Sequence, residues 1–295
     1  MTTHFRRLSG LLYLPLFLLS GCLFTTRKLP VPKAPTITQT VSPDELVQQL
    51  DERWDKLDSF YANVEIQAST IKKKDGAEKD YTTFPGIIMM RKPESLRVYG
   101  RVPVIGSRMF DMVSDGKDFT LYIPSRNLVY KGANALHKRS TNTIENMRPG
   151  FFFDAMIVRG LDKDDNYMVS ADTETIEDAK KKHLIQIPEY ILSVIRAKSG
   201  TREMKPIRVV TFHRDDLLPY EQDLYDEDGN LETHVSYSNY RVFDGTPYPT
   251  TVVIKRTLEE FQIVLTVEKV VQNMKLTDDQ FQIKIPDGTQ VKTLE

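Results

Sequence analysis

The strongest constraint on the fold is a period of two in the apolar residues, which begins near residue 60 and continues almost to the C-terminus. Val64, Ile66 and Ala68 alternate with polar neighbours, and the run from 261 to 267 repeats the pattern. Such alternation is typical of strands with one buried face, because successive side chains point to opposite faces of a sheet. Further candidate strands lie at 81–91, 95–101, 107–114, 118–123, 128–131, 167–171, 182–188, 207–214, 220–225, 231–240 and 250–255.

The segments between these strands are short and carry residues that interrupt strands. Turn signals lie at 92–94, 115–117 and 226–230, which contain Pro93, Gly116 and Gly229. About a dozen antiparallel strands joined in this way form a sheet large enough to curl toward a barrel or split into a sandwich. The sequence therefore predicts a mainly β protein and leaves these two architectures open.

Two helical segments are available to cover one face of the sheet. Ser42 can cap a first helix, with Pro43 in the first turn and Glu45 completing a capping box. A stripe of apolar residues then follows at helical spacing: Leu46, Leu50, Trp54 and Leu57. We expect this stripe to pack on the sheet, with partner binding as the alternative. The second helical patch lies near 148–158.

The N-terminus resembles that of a bacterial lipoprotein precursor. Arg6 and Arg7 precede a mostly apolar stretch at 8–19, well short of the ~20 residues that span a bilayer. The run at 19–22, Leu-Ser-Gly-Cys, resembles a lipobox. It implies removal of residues 1–21 as a signal peptide and attachment of diacylglycerol and an N-acyl chain to Cys22. The alternative is an ordinary signal peptide followed by a coincidental cysteine.

Residues 22–42 are predicted to form an extended tether before a single β domain at 43–295. The segment 23–41 holds three prolines and no glycine, and chain of this kind extends ~3 Å per residue. The alternative is an edge segment packed on the domain. Leu23 follows the cysteine where an Asp would resemble the inner-membrane retention signal of some bacteria. This favours an anchor in the outer membrane, facing the periplasm.

Patterns that carry catalysis, metal binding or nucleic-acid binding are missing from the sequence. It has no glycine-rich phosphate loop, no Gly-x-Ser-x-Gly and no His-Glu-x-x-His, and none of its five histidines has a second His or Cys at metal-ligand spacing. The formal charge of −1 becomes −3 once Arg6 and Arg7 leave with the signal peptide, which does not fit a nucleic-acid binder. We predict a non-enzymatic protein without catalytic residues, metal, nucleic-acid partner or cofactor beyond the lipid on Cys22.

Several segments resemble the LolA/LolB-like superfamily of lipoprotein-localisation carriers and receptors. The similar stretches are MVSDGK at 112–117, LYIP at 121–124, NLVY at 127–130, NMKLTDDQF at 273–281 and IPDG at 285–288. The first helix followed by Phe60-Tyr61-Ala62 also matches. The resemblance implies a strongly curved, half-open antiparallel β-barrel that surrounds a hydrophobic cavity and is covered by helices. Members of the superfamily bind acyl chains or other apolar ligands, and some bind partner proteins.

The resemblance leaves two roles open. The first is a receptor-like binding protein that accepts acyl chains or lipoprotein cargo at the outer membrane, with a soluble periplasmic carrier as a candidate partner. The second is a non-catalytic interaction protein, either an envelope scaffold or a stress sensor. A lipid anchor on the chain itself favours the first role. The added strands and an insertion at 191–205 separate this chain from the typical receptor.

Two sets of apolar residues are candidate contacts with membrane or cargo. The hairpin tip at 102–106 carries Val102, Val104 and Ile105, whereas the other turns of the chain are polar. It resembles the Pro-Leu-Gly loop of the receptor branch, which implies contact with lipid. The alternative is burial under a helix. The second set, Phe151, Phe152 and Phe153, is predicted to lie on a helix at the mouth of the cavity, with core packing as the alternative.

Overall fold

Most of the described chain is β-strand. The computed structural model describes residues 38–71, 78–134, 148–178, 183–198 and 200–294. Two α-helices are described there, α1 (Pro43–Asp55) and α2 (Gly150–Met156). The strands are β1 (Ser59–Ile71), β2 (Glu78–Asp80), β3 (Phe84–Arg91), β4 (Ser95–Arg101), β5 (Arg108–Ser114), β6 (Asp118–Ile123), β7 (Leu128–Ala133), β8 (Asn166–Asp178), β9 (His183–Ala197), β10 (Met204–His213), β11 (Pro219–Tyr225), β12 (Leu231–Phe243), β13 (Thr246–Arg256), β14 (Phe261–Gln272) and β15 (Gln290–Leu294).

The strands belong to one sheet that does not close on itself. Its order is β15-β7-β6-β5-β4-β3-β1-β14-β13-β12-β11-β10-β9-β8, with β2 paired to β1 beside this path. Neighbours from β3 to β7 and from β9 to β14 pair antiparallel, mostly through short hairpins, whereas β15 pairs parallel to β7. The central pair joins distant parts of the chain, because β1 lies beside β14. These features confirm the mainly β, open antiparallel fold predicted from the sequence.

The chain divides into two compact units, which are described separately. The larger unit comprises residues 37–173 and 188–295 and contains both helices. The smaller unit contributes the described residues 174–178 and 183–187, which are the last part of β8 and the first part of β9. Residues 174–177 of this unit are exposed. All sites described below lie in the larger unit.

Helix α1 begins where the capping pattern predicts. The Ser42 hydroxyl accepts a hydrogen bond from the Glu45 amide at 3.2 Å, and the Glu45 carboxylate accepts one from the Ser42 amide at 2.7 Å. The apolar face then buries Leu46, Val47 and Leu50. These residues pack in one cluster with core-facing residues of β9 and β10, namely Tyr190, Leu192, Val194, Val210 and Phe212. The predicted packing of the stripe on the sheet is therefore confirmed.

The main core covers one face of the central strands. Ile88 and Met90 of β3 join this cluster together with Phe60 of β1, Leu265 of β14 and the buried residues of α2. Ile87 and Met89 point to the opposite face of β3, where they pack with Tyr99, Leu276 and Phe281. Strand β3 is thus buried on both faces, because the segment around a 3₁₀ turn at Asp278–Phe281 covers the face away from the helices.

Several parts of the structure differ from the predicted elements. No strand was predicted at 191–205, but most of these residues belong to β9 and β10, since Tyr190, Leu192 and Val194 alternate onto α1. The strand predicted at 81–91 begins only at Phe84, where pairing with Ile66 starts. Strands β2 and β15 were not predicted, because their mainly polar sequences lack alternation. The predicted signal peptide, Cys22 and most of the tether lie outside the described residues.

Candidate functional site

Side chains of the sheet donate hydrogen bonds to the C-terminal end of helix α2. A helix ends with carbonyl groups that have no partner within the helix. Here Gln222 Nε2 donates to the Asp154 carbonyl at 2.7 Å, the Tyr237 hydroxyl to the Ala155 carbonyl at 3.0 Å, and the Tyr248 hydroxyl to the Met156 carbonyl at 2.8 Å. Burial raises the pKa of both tyrosines well above the ordinary value. They therefore remain neutral donors, and these bonds fix the end of α2 over the sheet.

The segment after α2 is tied to α1. The Leu161 amide donates to Asp51 Oδ1 at 2.8 Å. A Cβ at Gly160 would lie 2.7 Å from the same carboxylate oxygen and 3.0 Å from the Trp54 ring, so a side chain would not fit there without a shift. Trp54 also contacts Phe153 edge-on at 6.3 Å between ring centroids. These contacts set the distance between α1 and α2.

An apolar cavity of about 280 Å³ lies between α1, the end of α2 and the β12–β13 hairpin. This volume is near the lower limit, about 300 Å³, of small-molecule sites, and roughly twice that of an engineered cavity that binds benzene. It has room for roughly a dozen carbon atoms on that comparison. Its apolar lining is formed by Leu50, Trp54, Leu57, Phe60, Met156, Ile157, Val158, Leu218, Pro219, Tyr237, Tyr240, Pro247, Tyr248 and Pro249.

The cavity opens at the β12–β13 turn. Lining residues at the inner end, such as Phe60 and Tyr248, are buried, whereas Lys56, Thr246 and Pro247 are exposed. The turn itself is tight, because Asp244 and Gly245 both have positive φ, of 49° and 83°. This is the backbone that two-residue hairpins require. A narrow hairpin and the end of α1 therefore border the entrance.

The three phenylalanines of the predicted cavity-mouth helix are buried in the main core. Phe151 and Phe152 stack at 4.4 Å between centroids. None of the three lines the apolar cavity, whose α2 wall begins at Met156. Their rings pack in the main core, and Phe151 also lines a second, polar cavity at the other end of α2.

The predicted membrane loop projects into solvent. Val104 is fully exposed (107%) and Ile105 is 77% exposed, while Val102 is half-buried. Val104 has a φ of 66°, which is rare for a β-branched residue, and the Ile105 amide donates to the Pro103 carbonyl at 2.7 Å across it. The loop is therefore not buried under a helix, which was the alternative interpretation.

A cluster of arginines lies beside this loop. Arg97 binds the buried Asp111 carboxylate through two hydrogen bonds, of 2.9 and 2.7 Å, and Arg108 makes an ion pair with the same carboxylate. The guanidinium groups of Arg97, Arg101 and Arg108 lie 5.5, 5.5 and 4.1 Å from the centre of the Tyr99 ring. Two of these cations, Arg97 and Arg108, therefore share one buried anion at the base of the loop.

A serine, a histidine and an aspartate are hydrogen-bonded on β11 and β12, an arrangement that the sequence analysis missed. His234 Nδ1 lies 2.7 Å from Asp223 Oδ1, and His234 Nε2 lies 3.1 Å from Ser236 Oγ. The hydrogen bond to Asp223 raises the pKa of His234, because the carboxylate stabilises the protonated imidazole. None of the three residues lines a described cavity. The arrangement is best explained as a cross-strand hydrogen-bond network.

The described residues contain no group of three or more His, Cys, Asp or Glu side chains placed to hold a metal ion. Within the same part of the chain, no helix combines the length and apolar character needed to cross a bilayer.

Comparison with known proteins identifies the fold. No protein-family model matches the sequence, and no curated protein matches it. The structure is similar to that of a LolA superfamily protein from Nitrosomonas europaea, with a TM-score of 0.51 and 19% identity, over 83% of this chain and 99% of the other. It is also similar to a DUF1329 family protein from Desulfovibrio piger, with a TM-score of 0.51 and 16% identity, over 81% of this chain and 95% of the other. The fold is LolA/LolB-like, as the sequence resemblance predicted.

Proposed function

We propose that this protein is a lipid-anchored binding protein on the periplasmic side of the outer membrane. Its apolar cavity accepts an acyl chain of a lipid or lipoprotein cargo, in a receptor-like role and without catalysis. The observation that carries the proposal is the apolar cavity of about 280 Å³ between the helices and the sheet. The LolA/LolB-like fold and the lipobox-like sequence ending at Cys22 support it.

The lining of the cavity suits an apolar chain better than a polar ligand. The tyrosine hydroxyls that could bind a polar group are occupied, since those of Tyr237 and Tyr248 donate to α2 and that of Tyr240 donates to the Pro219 carbonyl. Arg53, also in the lining, donates to the Leu217 carbonyl at 2.9 Å. Burial of ten methylenes contributes ~8 kcal/mol before ordering costs, which corresponds to micromolar binding if those costs are small.

Delivery requires contact with the membrane or with a carrier, and the loop at 102–106 is the proposed docking element. Val104 and Ile105 would insert among the acyl chains, while Arg101 and Arg108 would lie near anionic head groups. Two inserted side chains add ~2–4 kcal/mol, which is enough for transient docking but not for anchoring. The covalent lipid on Cys22 supplies the anchor. A soluble periplasmic carrier is the proposed donor of cargo.

Filling the cavity tests the proposal. Val158→Trp places an indole in the cavity, and we expect it to weaken binding of a fluorescent fatty acid at least tenfold in the chain produced without residues 1–22. Val242→Trp is the matched control, because Val242 is 70% exposed and does not line the cavity. Circular dichroism and thermal melts establish that both variants fold.

Two results would contradict the proposal. Unchanged fatty-acid affinity in a folded Val158→Trp variant would place the ligand elsewhere. A wild-type chain that binds no fatty acid, and carries none in a lipid-extraction mass spectrum, would favour the alternative role of an envelope scaffold or stress sensor.

A further inference from the structure

A second cavity, of about 360 Å³, borders the other end of α2 and has polar walls. The apolar cavity is lined by Met156 at the end of α2, whereas this one is lined by Gly150, Phe151 and Asp154. Trp54 of α1 lines both cavities. A ligand bound along α2 could therefore present an apolar part to one cavity and a polar part to the other.

Arg208 occupies an unusual position in the wall of the polar cavity. It lies on the face of β10 that also carries Val210 and Phe212, so its side chain points toward the core side of the sheet. Only 6% of the residue is exposed. An arginine is almost never this buried unless it is paired.

Few of the hydrogen-bond donors of Arg208 are satisfied. A guanidinium has five N–H groups. Nη2 of Arg208 donates to the Gly160 carbonyl at 2.5 Å, and the buried Nε has no acceptor among the described residues. A buried donor without an acceptor costs free energy, so such a group in a cavity wall indicates that an acceptor binds there.

The carboxylates that line the cavity are engaged by other arginines. Asp154 pairs with Arg159 at 2.5 Å, and Glu232 pairs with Arg256 at 2.9 Å. Asp162 and Asp165 pair with Arg196 at 3.1 and 2.6 Å. Desolvation raises the pKa of Asp154, and the hydrogen bond and charge of Arg159 act against that rise. None of these carboxylates makes a hydrogen bond or ion pair with Arg208 among those described.

We propose that the polar cavity binds the oxyanion head group, a phosphate or a carboxylate, of an amphiphile whose acyl chain lies in the apolar cavity. The inference rests on the proposed function and specifies its ligand class. The oxyanion would accept hydrogen bonds from Nε of Arg208 and from its remaining Nη donors. Charge-assisted bonds of this kind are about twice as strong as neutral ones.

Amphiphiles with one acyl chain and different head groups test the inference on the chain produced without residues 1–22. The probes are oleoyl lysophosphatidic acid, oleic acid, mono-oleoylglycerol and inorganic phosphate, measured by calorimetry. We expect at least one anionic amphiphile to bind about tenfold more tightly than mono-oleoylglycerol. The better of the two anionic probes identifies phosphate or carboxylate as the head group.

Substitution of Arg208 tests whether the preference for anionic over neutral amphiphiles arises in this cavity. Arg208→Gln should reduce the preference to less than about threefold and leave mono-oleoylglycerol binding unchanged, whereas Arg208→Lys keeps the charge and should keep part of the preference. Arg241→Gln, at an exposed arginine that does not line the cavity, should change nothing. If Arg208→Gln does not fold, the affinities of the wild type and of Arg208→Lys for anionic and neutral amphiphiles still test the head-group site.

The outcomes distinguish failure of the head-group site from failure of the proposed acyl-binding function. Equal affinities for neutral and anionic probes, or a preference that persists in folded Arg208→Gln, would overturn the head-group site while leaving the acyl-binding function intact. Binding of inorganic phosphate without a preference for anionic amphiphiles would indicate a free-anion site and would also overturn it. If no amphiphile binds, the proposed function itself fails.

Discussion

Substituting glycine for Val104 tests the docking loop. We expect it to weaken vesicle binding without loss of stability, whereas glycine at a control site should lower stability without changing vesicle binding. Its side chain is fully exposed and its φ of 66° lies in the left-handed region. Glycine adopts this conformation without steric cost. Val104→Gly should therefore remove an apolar group from the loop tip and also relieve backbone strain.

The magnitudes follow from these two features. Strain of this kind costs about 1–3 kcal/mol, part of which is offset by the greater freedom of glycine in the unfolded chain. We expect the free energy of unfolding to stay unchanged or to rise by up to about 1 kcal/mol, which raises Tm by roughly 2–4 °C for a domain of this size. Loss of the valine from lipid should cost about 1.5 kcal/mol, or about tenfold in vesicle affinity.

Val242→Gly is the matched control. Val242 is 70% exposed on β12, and its φ is not in the left-handed region. Here glycine should lower the free energy of unfolding by about 0.5–1 kcal/mol and leave vesicle affinity unchanged. Both variants are compared without residues 1–22, so that the lipid anchor does not mask weak binding. Sedimentation with vesicles of phosphatidylethanolamine and phosphatidylglycerol measures affinity, and urea titration measures stability.

The reasoning is refuted if Val104→Gly binds vesicles as tightly as the wild type, because the exposed loop would then have no part in docking. A marked loss of stability in Val104→Gly would refute the strain argument instead. Ile105→Glu provides a second check on docking, since Ile105 is 77% exposed and a charge there should oppose insertion.

Three further predictions concern the anchor, a buried ion pair and pH. Cys22→Ser should abolish incorporation of labelled fatty acid, because a hydroxyl is a far weaker nucleophile than a thiolate; unchanged label would end the lipobox interpretation. Asp111→Ala should lower the free energy of unfolding in urea by about 3 kcal/mol, since it leaves the guanidinium of Arg97 buried without its carboxylate. The pKa of His234 is raised by Asp223, so its contribution to stability is complete below the unfolded pKa of about 6.5 and is lost as pH rises through the folded value. His234→Gln should therefore cost about 1 kcal/mol near pH 5.5 and less near pH 9, and an equal cost at both pH values would contradict this.

Local signals in the sequence were sufficient for most of the elements. The Ser42–Glu45 capping box marks the start of α1, and the strands at 95–101 and 118–123 have the predicted bounds. The reason is that caps, turns and alternation depend on neighbours within a few residues. Strand β15 carries no such signal, because most of its side chains are exposed and its pairing with β7 joins residues far apart in sequence.

The family resemblance implied a hydrophobic cavity, but the residues of its walls could not be predicted, because they come from distant segments. Val158 and Tyr248, for example, lie far apart in the sequence and line the same cavity. Arg208 and the Asp223–His234 pair depend on strand register, since each occupies a face that the sequence alone does not assign. The tyrosines of β12 and β13 carried one usable signal. The hydroxyl of a buried tyrosine needs a hydrogen-bond partner, and those of Tyr237 and Tyr248 bind carbonyl groups of α2.

The parallel pairing of β15 with β7 has a consequence for solubility. Residues Gln290–Leu294 cover the hydrogen-bonding edge of β7, and Gly132 permits it, because a Cβ there would lie 2.9 Å from the Leu294 carbonyl oxygen. An uncovered strand edge is a template for pairing with another molecule. Displacing β15 would therefore replace strand pairing within one chain by strand pairing between chains. The protein would then associate in a concentration-dependent manner, although no residue of β15 lines a described cavity.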